Sequence, residues 1–304
     1  MTQNILVTGA SGFFGKHICK YIGRLKTKIN LIGTDITEAN DINCDRFIAA
    51  DISDEHAVNK LIRQVVPDHV LHLAGTFGAN CGLKTYQVNT ISAIAILEAV
   101  RQYALSCAVI AVGSAAEYGK VQEGRLPIEE SCPCSPVTPY GLSKFLATQI
   151  ALYYHRTCNL SVTIVRPFQL IGKGLTDRLA PGAFARQLEE AISGRADAIK
   201  VGNLESCRDF LGVQDAAEAM WMLCQKPAPG EIFNLCSGKS TKMADLLQMM
   251  IEACGVKVSV EVDPSRLRGN RDVSVVYGSY KKINDHCGWR PREPLQQAVQ
   301  KIFT

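Results

Sequence analysis

The chain has 304 residues, 47% of them apolar and 20% charged, which excludes disordered and fibrous classes and allows one large or two smaller globular domains. The formal net charge is +4 and no run of basic residues forms a stripe, so nucleic acid is not an expected partner and a small anionic ligand fits better. The 12 cysteines include no Cys-x-x-Cys pair and the six histidines show no ligand spacing, so no metal is expected.

Taken in chain order, the first half alternates apolar β-type runs with longer helical patterns. Candidate strands are Asn4–Thr8, Ile29–Gly33, Arg46–Ala49, His69–Leu73, Ala108–Val112 and Val162–Val165. Helical stretches lie between them near Gly12–Leu25, Glu55–Val66, Thr85–Tyr103 and Tyr140–Cys158. This alternation predicts an α/β fold with a doubly wound parallel Rossmann sheet, covered by helices on both faces, whose ligands gather at the C-terminal ends of the strands. After Arg166-Pro167 the segments shorten, but Val213–Cys224 reads as a helix and Glu231–Leu235 as a strand that return to the main sheet. Two units are therefore expected: residues 1–166 plus 212–236, and a smaller discontinuous unit of 167–211 plus 237–304.

The run Gly9-Ala10-Ser11-Gly12-Phe13-Phe14-Gly15 follows the first strand directly and opens a helix. Glycines at such a turn let the backbone approach a pyrophosphate, which sits on the exposed amides of the helix N-terminus. Asp35 ends the next strand about 20 residues beyond Gly15, where a carboxylate accepts hydrogen bonds from an adenosine ribose and repels a 2′-phosphate. NAD(H) is therefore the favoured cofactor and NADP(H) the second candidate. Asp51-Ile52 and Leu73-Ala74-Gly75 fall at the ends of the next strands, where an adenine and its linkage would lie.

Tyr140 and Lys144 share one helix face at a spacing of four, placing an ammonium beside a phenol able to pass a proton. A second Tyr-x-x-x-Lys pair, Tyr277 and Lys281, occurs without a serine-bearing strand before it and reads as structural. Ser114, in Val112-Gly113-Ser114-Ala115-Ala116-Glu117-Tyr118-Gly119, falls at a strand end on the rim of the glycine loop.

With these residues the chain resembles the extended short-chain dehydrogenase/reductases that modify nucleotide sugars, along essentially its whole length. The resemblance implies that Tyr140 is general acid or base at the sugar C4 oxygen. A phenol's reference pKa is about 10, so Lys144 and a positive nicotinamide are expected to lower it. It also implies that Lys144 holds the nicotinamide ribose, that Ser114 hydrogen-bonds the C4 oxygen, and that Pro167 completes the cofactor set. The family's 4,6-dehydratases carry two acidic or polar groups where this chain has Ala115 and Ala116. Alanine neither gives nor takes a proton, so dehydration is not expected. Glu117, one place further, is read as a second-layer or substrate-orienting carboxylate.

The second half is most similar to the branch that reduces GDP-4-dehydro-6-deoxy-mannose, through Arg166-Pro167-Phe168-Gln169-Leu170-Ile171-Gly172, Ala183-Phe184-Ala185-Arg186-Gln187, Arg208-Asp209-Phe210 and Val262-Asp263-Pro264-Ser265-Arg266-Leu267-Arg268. Gln169 stands where that branch usually has asparagine and Lys173 where it has proline. The resemblance implies an NDP-4-keto-6-deoxyhexose substrate, most similar to a GDP-linked one. Its diphosphate would meet Arg208 first, then Arg268 or Arg271, with Arg186 a weaker candidate. Glu117 and Gln169 join them in the expected substrate set, while Arg166 is expected to be structural.

A homodimer is expected from the family and from apolar faces on Ile91–Val100 and Phe145–Tyr154, which could alternatively face the sheet. With no signal peptide and no apolar run fit to cross a bilayer, the chain reads as cytoplasmic with reduced thiols and no membrane contact. Two other readings stay open: a nucleotide-sugar 4-epimerase with tightly held NAD, and a non-catalytic NAD-binding protein on the same fold.

Overall fold

The structure, a computed structural model, describes residues 2–25, 28–37, 41–77, 82–267 and 273–304. Strand β1 (Gln3–Thr8) leads into α1 (Phe13–Ile22), followed by β2 (Ile29–Asp35), β3 (Arg46–Ala49), α2 (Glu55–Val65) and β4 (His69–His72). After α3 (Leu83–Tyr86) and a π-helical turn at Gln87–Ile91 come α4 (Ser92–Tyr103), β5 (Ala108–Val112), α5 (Pro139–Cys158) and β6 (Ser161–Pro167). The remaining elements are β7 (Gln169–Ile171), α6 (Ala180–Ile192), β8 (Ala198–Val201), β9 (Cys207–Arg208), β10 (Phe210–Gly212), α7 (Val213–Gln225) and β11 (Ile232–Leu235). The chain closes with β12 (Thr241–Lys242), α8 (Met243–Cys254), β13 (Ser259–Val262), β14 (Val275–Val276), α9 (Lys281–Cys287) and α10 (Leu295–Gln300).

Seven strands form one sheet in the order β11-β6-β5-β4-β1-β2-β3, and every neighbouring pair runs parallel. Parallel strands are buried on both faces and read as near-continuous apolar runs. In β1, Ile5 and Val7 face one apolar cluster with Ile18 and Cys19 of α1 and Ala216 and Met220 of α7. Leu6, pointing the other way, joins Leu61 of α2, Ile96 of α4 and Ala151 of α5. Strand β11 is the expected return, pairing with β6 from Ile232 opposite Ile164 to Leu235 opposite Pro167. The order reverses at β1, whose neighbours are β2 and β4, so the crevice for a ligand opens at their C-terminal ends.

A third apolar cluster joins Ile171, Phe184, Leu188, Val201 and Phe210 to Met243, Leu247, Met250 and Val299. Ile283 and Trp289, which the sequence placed with the smaller unit, instead pack in the first cluster. The Trp289 indole donates to the Asp215 carbonyl of α7 at 3.0 Å, a partner that the local pattern of α9 does not reveal. Among the described residues no helix is long and apolar enough to cross a membrane.

Candidate active site

The glycine loop is shaped by backbone contacts. Gly9 has φ +69°, and a Cβ there would lie 2.8 Å from Ala74 backbone atoms. A Cβ on Gly15 would lie 2.1 Å from the Gly9 carbonyl oxygen, so α1 starts hard against the turn. Gly12 caps α1 without a side-chain bond, leaving the first-turn amides, including those of Phe13 and Phe14, as donors without intrahelical acceptors. The Asp35 carboxylate is anchored at the tip of β2, where Oδ2 accepts from the Ser11 amide at 3.1 Å and Oδ1 from the Ile36 amide at 2.8 Å. A cradle that admits no Cβ, ending at a fixed carboxylate, fits a dinucleotide. Further along the rim, Asp51 is exposed and accepts from the Ser53 amide and hydroxyl, while Ile52 is buried in the second cluster. Ala74 donates its amide to Thr8 Oγ1 at 3.2 Å, and Thr8 in turn meets His72 Nδ1 at 2.9 Å.

Helix α5 starts where the sequence allows it to start: Thr138 accepts from the Gly141 amide at 3.0 Å and Pro139 occupies the first turn. A Cβ on Gly141 would lie 2.5 Å from the Ala116 carbonyl oxygen, and this close approach brings Tyr140 to Ser114. The Ser114 side chain hydrogen-bonds the Tyr140 phenol, and Phe77 stands edge-on to its ring at 6.2 Å. Lys144 is buried and donates to the Val112 carbonyl at 2.8 Å. Burial pushes the Lys144 ammonium down to about 8, against the opposing pull of Glu117. Burial pushes the Tyr140 phenol up; the Ser114 hydrogen bond opposes this and Glu117 adds to it. Within the protein itself, then, Tyr140 favours its protonated form, and the lowering expected from Lys144 is not among the influences on it.

Four expected substrate residues need correction or qualification. Glu117 is turned inward, in keeping with the second-layer reading: it is 0% exposed, takes the Ser114 amide on Oε1 at 2.8 Å, and takes Arg166 on Oε2 at 2.8 and 2.9 Å. Its charge is satisfied inside by a guanidinium from β6, as the structural reading of Arg166 anticipates. The Arg186 guanidinium is paired with Glu190 at 2.6 Å and Asp177 at 3.6 Å on the surface of α6, so its charge is already neutralised. Arg268 and Arg271 lie outside the described residues. Arg208 on β9 donates to the Cys207 carbonyl at 2.8 Å. Gln169 starts β7 in the same neighbourhood, its backbone amide donating to the Asp209 carbonyl at 3.1 Å. Tyr277 lies before α9 and Lys281 begins it, paired with Asp285, so this second pair shares no helix face.

Sequence reasoning missed Asn89. Its Nδ2 donates to the Thr76 carbonyl and to Ser143 Oγ, both at 2.9 Å, and its Oδ1 accepts from the Thr76 amide at 2.7 Å. It thus ties the loop after β4 to α5, from within the π-helical turn that precedes α4; such turns cluster at functional sites. Asp209 was missed too. Buried at 0% exposure, it accepts from the Ser237 amide and hydroxyl, both at 2.7 Å, and from the Gly238 amide at 2.9 Å, fixing the backbone beside Arg208. Asn89 sits among other polar residues, Gln87, Thr90 and Ser92, so nothing local marks it out.

A dinucleotide cradle at the switch point of a parallel sheet, with a phenol and a buried ammonium beside it, defines a Rossmann-fold enzyme of the extended short-chain dehydrogenase/reductase class. The chain belongs to the NAD dependent epimerase/dehydratase family, which matches residues 5–236. It is 30% identical to GDP-6-deoxy-D-mannose reductase of Pseudomonas aeruginosa, across 100% of this chain and 97% of that protein. It is 31% identical to GDP-6-deoxy-D-talose 4-dehydrogenase of Aggregatibacter actinomycetemcomitans, across 94% and 92%. The solved structure of RMD from Pseudomonas aeruginosa complexed with NADPH superposes with a TM-score of 0.87 at 29% identity, covering 99% of this chain and 97% of that one.

Proposed function

We propose that the protein reduces the C4 ketone of an NDP-4-keto-6-deoxyhexose, GDP-linked, at the expense of NADH or NADPH. The observation that carries this reading is the contact of Ser114 with the Tyr140 phenol above buried Lys144, with alanines at 115 and 116. The relatives named for GDP-linked 6-deoxyhexose oxidoreductases support the substrate class. Residues 1–166 plus 212–236 hold the cofactor, through Gly9, Ser11, Gly12, Phe13, Phe14, Gly15 and Asp35, with Pro167 of the adjoining unit completing the set. Residues 167–211 plus 237–304 hold the nucleotide sugar, with Arg208 and Gln169 nearest the joined β7 and β10 strands.

A bound nicotinamide supplies the hydride. Tyr140 gives its phenol proton to the C4 oxygen as the ketone becomes an alcohol, and general acid catalysis of this kind contributes about 10²–10⁴ in rate. Ser114 donates to the same oxygen, holding it in line with the phenol. Lys144, held on the Val112 carbonyl, keeps the nicotinamide ribose beside Tyr140. Its value of about 8 keeps it largely charged at neutral pH. Alanines at 115 and 116 leave no group there to remove a proton at C5 or expel water from C6, so the sugar leaves with only C4 changed.

The protein acts as a homodimer. Leu142, Leu146 and Tyr153 on α5 remain exposed, Tyr153 at 54%, which is the apolar surface a two-fold pairing of α4 and α5 would cover.

The test is incubation with a GDP-4-keto-6-deoxy sugar and NADH or NADPH. Stoichiometric loss of reduced cofactor with formation of the 4-hydroxy sugar is expected. Interconversion of C4 epimers without net cofactor consumption would assign epimerisation instead, and no turnover of either kind removes the reading.

A further inference from the structure

We propose that Glu117, clamped by Arg166, is a positioning residue for the reduction: it fixes the peptide of Ser114 so that the serine hydroxyl faces Tyr140. The turn Ala115–Glu117 is closed by reciprocal bonds, the Ser114 hydroxyl oxygen accepting from the Ala116 amide at 3.1 Å and Glu117 Oε1 from the Ser114 amide at 2.8 Å. Because Ser114 Oγ accepts from within the turn, its own proton is left to donate outward, toward the phenol and the substrate oxygen.

A glutamate, including one in a reciprocal cap, is mostly exposed and almost never fully buried unless paired. Here the carboxylate has no freedom. Glu117 and Arg166 are 0% and 2% exposed, and Arg166 places both Nε and Nη2 on Oε2. The guanidinium lies 4.7 Å over the Tyr118 ring, whose hydroxyl donates to Asn234 Oδ1 at 2.7 Å. Asn234 donates in turn to the Ile128 carbonyl at 2.9 Å. The chain leading to Ser114 is thus anchored at each link.

Gly113 shows what this arrangement demands: a Cβ there would fall 2.2 Å from Glu117 Oε1, so the carboxylate fills the space a side chain would take. A buried ion pair adds little to stability compared with well-packed apolar residues, whereas orientation at a reacting centre is worth much, since a misplacement of about 1 Å can cost about 100-fold in rate. The buried negative charge also acts on both reacting groups, opposing the fall of Lys144 and adding to the rise of Tyr140, so it favours the protonated acid that reduction needs.

The inference rests on the C4 reaction proposed above, and a double-mutant cycle on kcat tests it with the full chain. Glu117→Asp keeps the charge opposite Arg166 but draws the carboxylate back from the Ser114 amide. Its kcat is expected to fall about tenfold with KM and Tm near wild type, and on a Ser114→Ala background the same change should cost less than about twofold. Equal losses in both backgrounds, or an undiminished kcat in Glu117→Asp, overturn the proposal. The charge-free pair Glu117→Gln/Arg166→Met guards against loss of folding: it retains an acceptor for the amide and should hold kcat within about threefold, while Glu117→Leu/Arg166→Met loses it. Equal kcat in these two also overturns it.

Hydrogen exchange at the Ser114 amide separates this idea from the reductase reading, because it needs no substrate. Slow exchange in the wild type that becomes fast in Glu117→Asp is expected, and fast exchange in the wild type overturns the proposal. A wild type that protects this amide yet reduces no nucleotide-sugar ketone overturns only the reductase reading, and the cycle is then run on C4-epimer interconversion.

Discussion

Lys144 of α5 donates from Nζ to the Val112 carbonyl at the end of β5, 2.8 Å away, tying the helix that carries Tyr140 to the strand that leads into Ser114. A Cβ on Gly75 would sit 3.1 Å from the same Nζ and 3.1 Å from Asn89 Oδ1, so the loop after β4 closes over the ammonium. Three segments far apart in sequence therefore meet at one charge, in a place where water cannot solvate it fully.

That burial has a pH signature. Lys144 falls from its ordinary 10.5 to about 8 in the folded protein, so the unfolded chain holds this proton more tightly. The cost of burying the ammonium is fully present below pH 8 and is relieved as pH rises toward 10.5, where wild type gains stability from this group, at most about 3 kcal/mol. Lys144→Met removes the titration. Thermal denaturation without cofactor should show the Tm of Lys144→Met, relative to wild type, highest below pH 8 and declining above it. A flat difference across that window contradicts the buried, lowered ammonium. Turnover should be lost at every pH.

Tyr140→Phe deletes one oxygen from a partly buried ring that still packs edge-on to Phe77. The Tm should stay within about 2 °C of wild type, whereas kcat should fall about 10²–10⁴-fold. Unchanged turnover removes Tyr140 from the chemistry.

Much of this was legible in the chain. Strands β1, β2, β4, β5 and β6 stand out because parallel strands buried on two faces leave apolar runs, and the glycine trio, Asp35 and Ser114 lie at or just beyond strand ends, with Tyr140 and Lys144 on α5. The two-residue strands β9, β12 and β14 left no trace, since their pairing is set by distant partners such as Cys207 with Lys242 and Val275. Glu117 reads from the sequence as a second-layer or substrate-orienting carboxylate, and the sequence alone does not choose between the two. The guanidinium that satisfies it comes from Arg166, on a strand two elements later. The Ser114-x-x-Glu117 spacing carried the signal of a reciprocal cap, and only the fold shows that this cap is buried.

Gly15→Ala should abolish cofactor binding. A methyl group 2.1 Å from the Gly9 carbonyl oxygen forces α1 away from the turn, spoiling the amides that would receive a pyrophosphate. Calorimetric titration with NADH should show affinity reduced by at least about 100-fold, about 2.7 kcal/mol, with a lowered Tm. Binding at wild-type strength is incompatible with the cradle described.

The exposed stripe of Leu142, Leu146 and Tyr153 on α5 sets the expected assembly. Leu146→Asp combined with Tyr153→Asp places two charges where an apolar partner face would lie, and sedimentation should show monomers where the wild type gives dimers. A wild-type chain that sediments as a monomer at micromolar concentration refutes the dimer.

Asp35 is expected to set which cofactor is used. Both carboxylate oxygens are anchored by backbone amides, Oδ2 by Ser11 at 3.1 Å and Oδ1 by Ile36 at 2.8 Å, while the Ser11 hydroxyl donates to the Thr37 carbonyl at 2.6 Å. The loop therefore holds the charge in place and cannot swing it away from an incoming 2′-phosphate. Two like charges about 4 Å apart repel by about 1 kcal/mol in water and about 4 kcal/mol near a protein surface, which is ample to set a preference. Asp35→Asn keeps an oxygen for one of the amides and removes the charge. The ratio of kcat/KM for NADPH to that for NADH should rise at least about tenfold, about 1.4 kcal/mol, chiefly through tighter use of NADPH. An unchanged ratio means that the basic groups around the loop, and not this carboxylate, choose the cofactor.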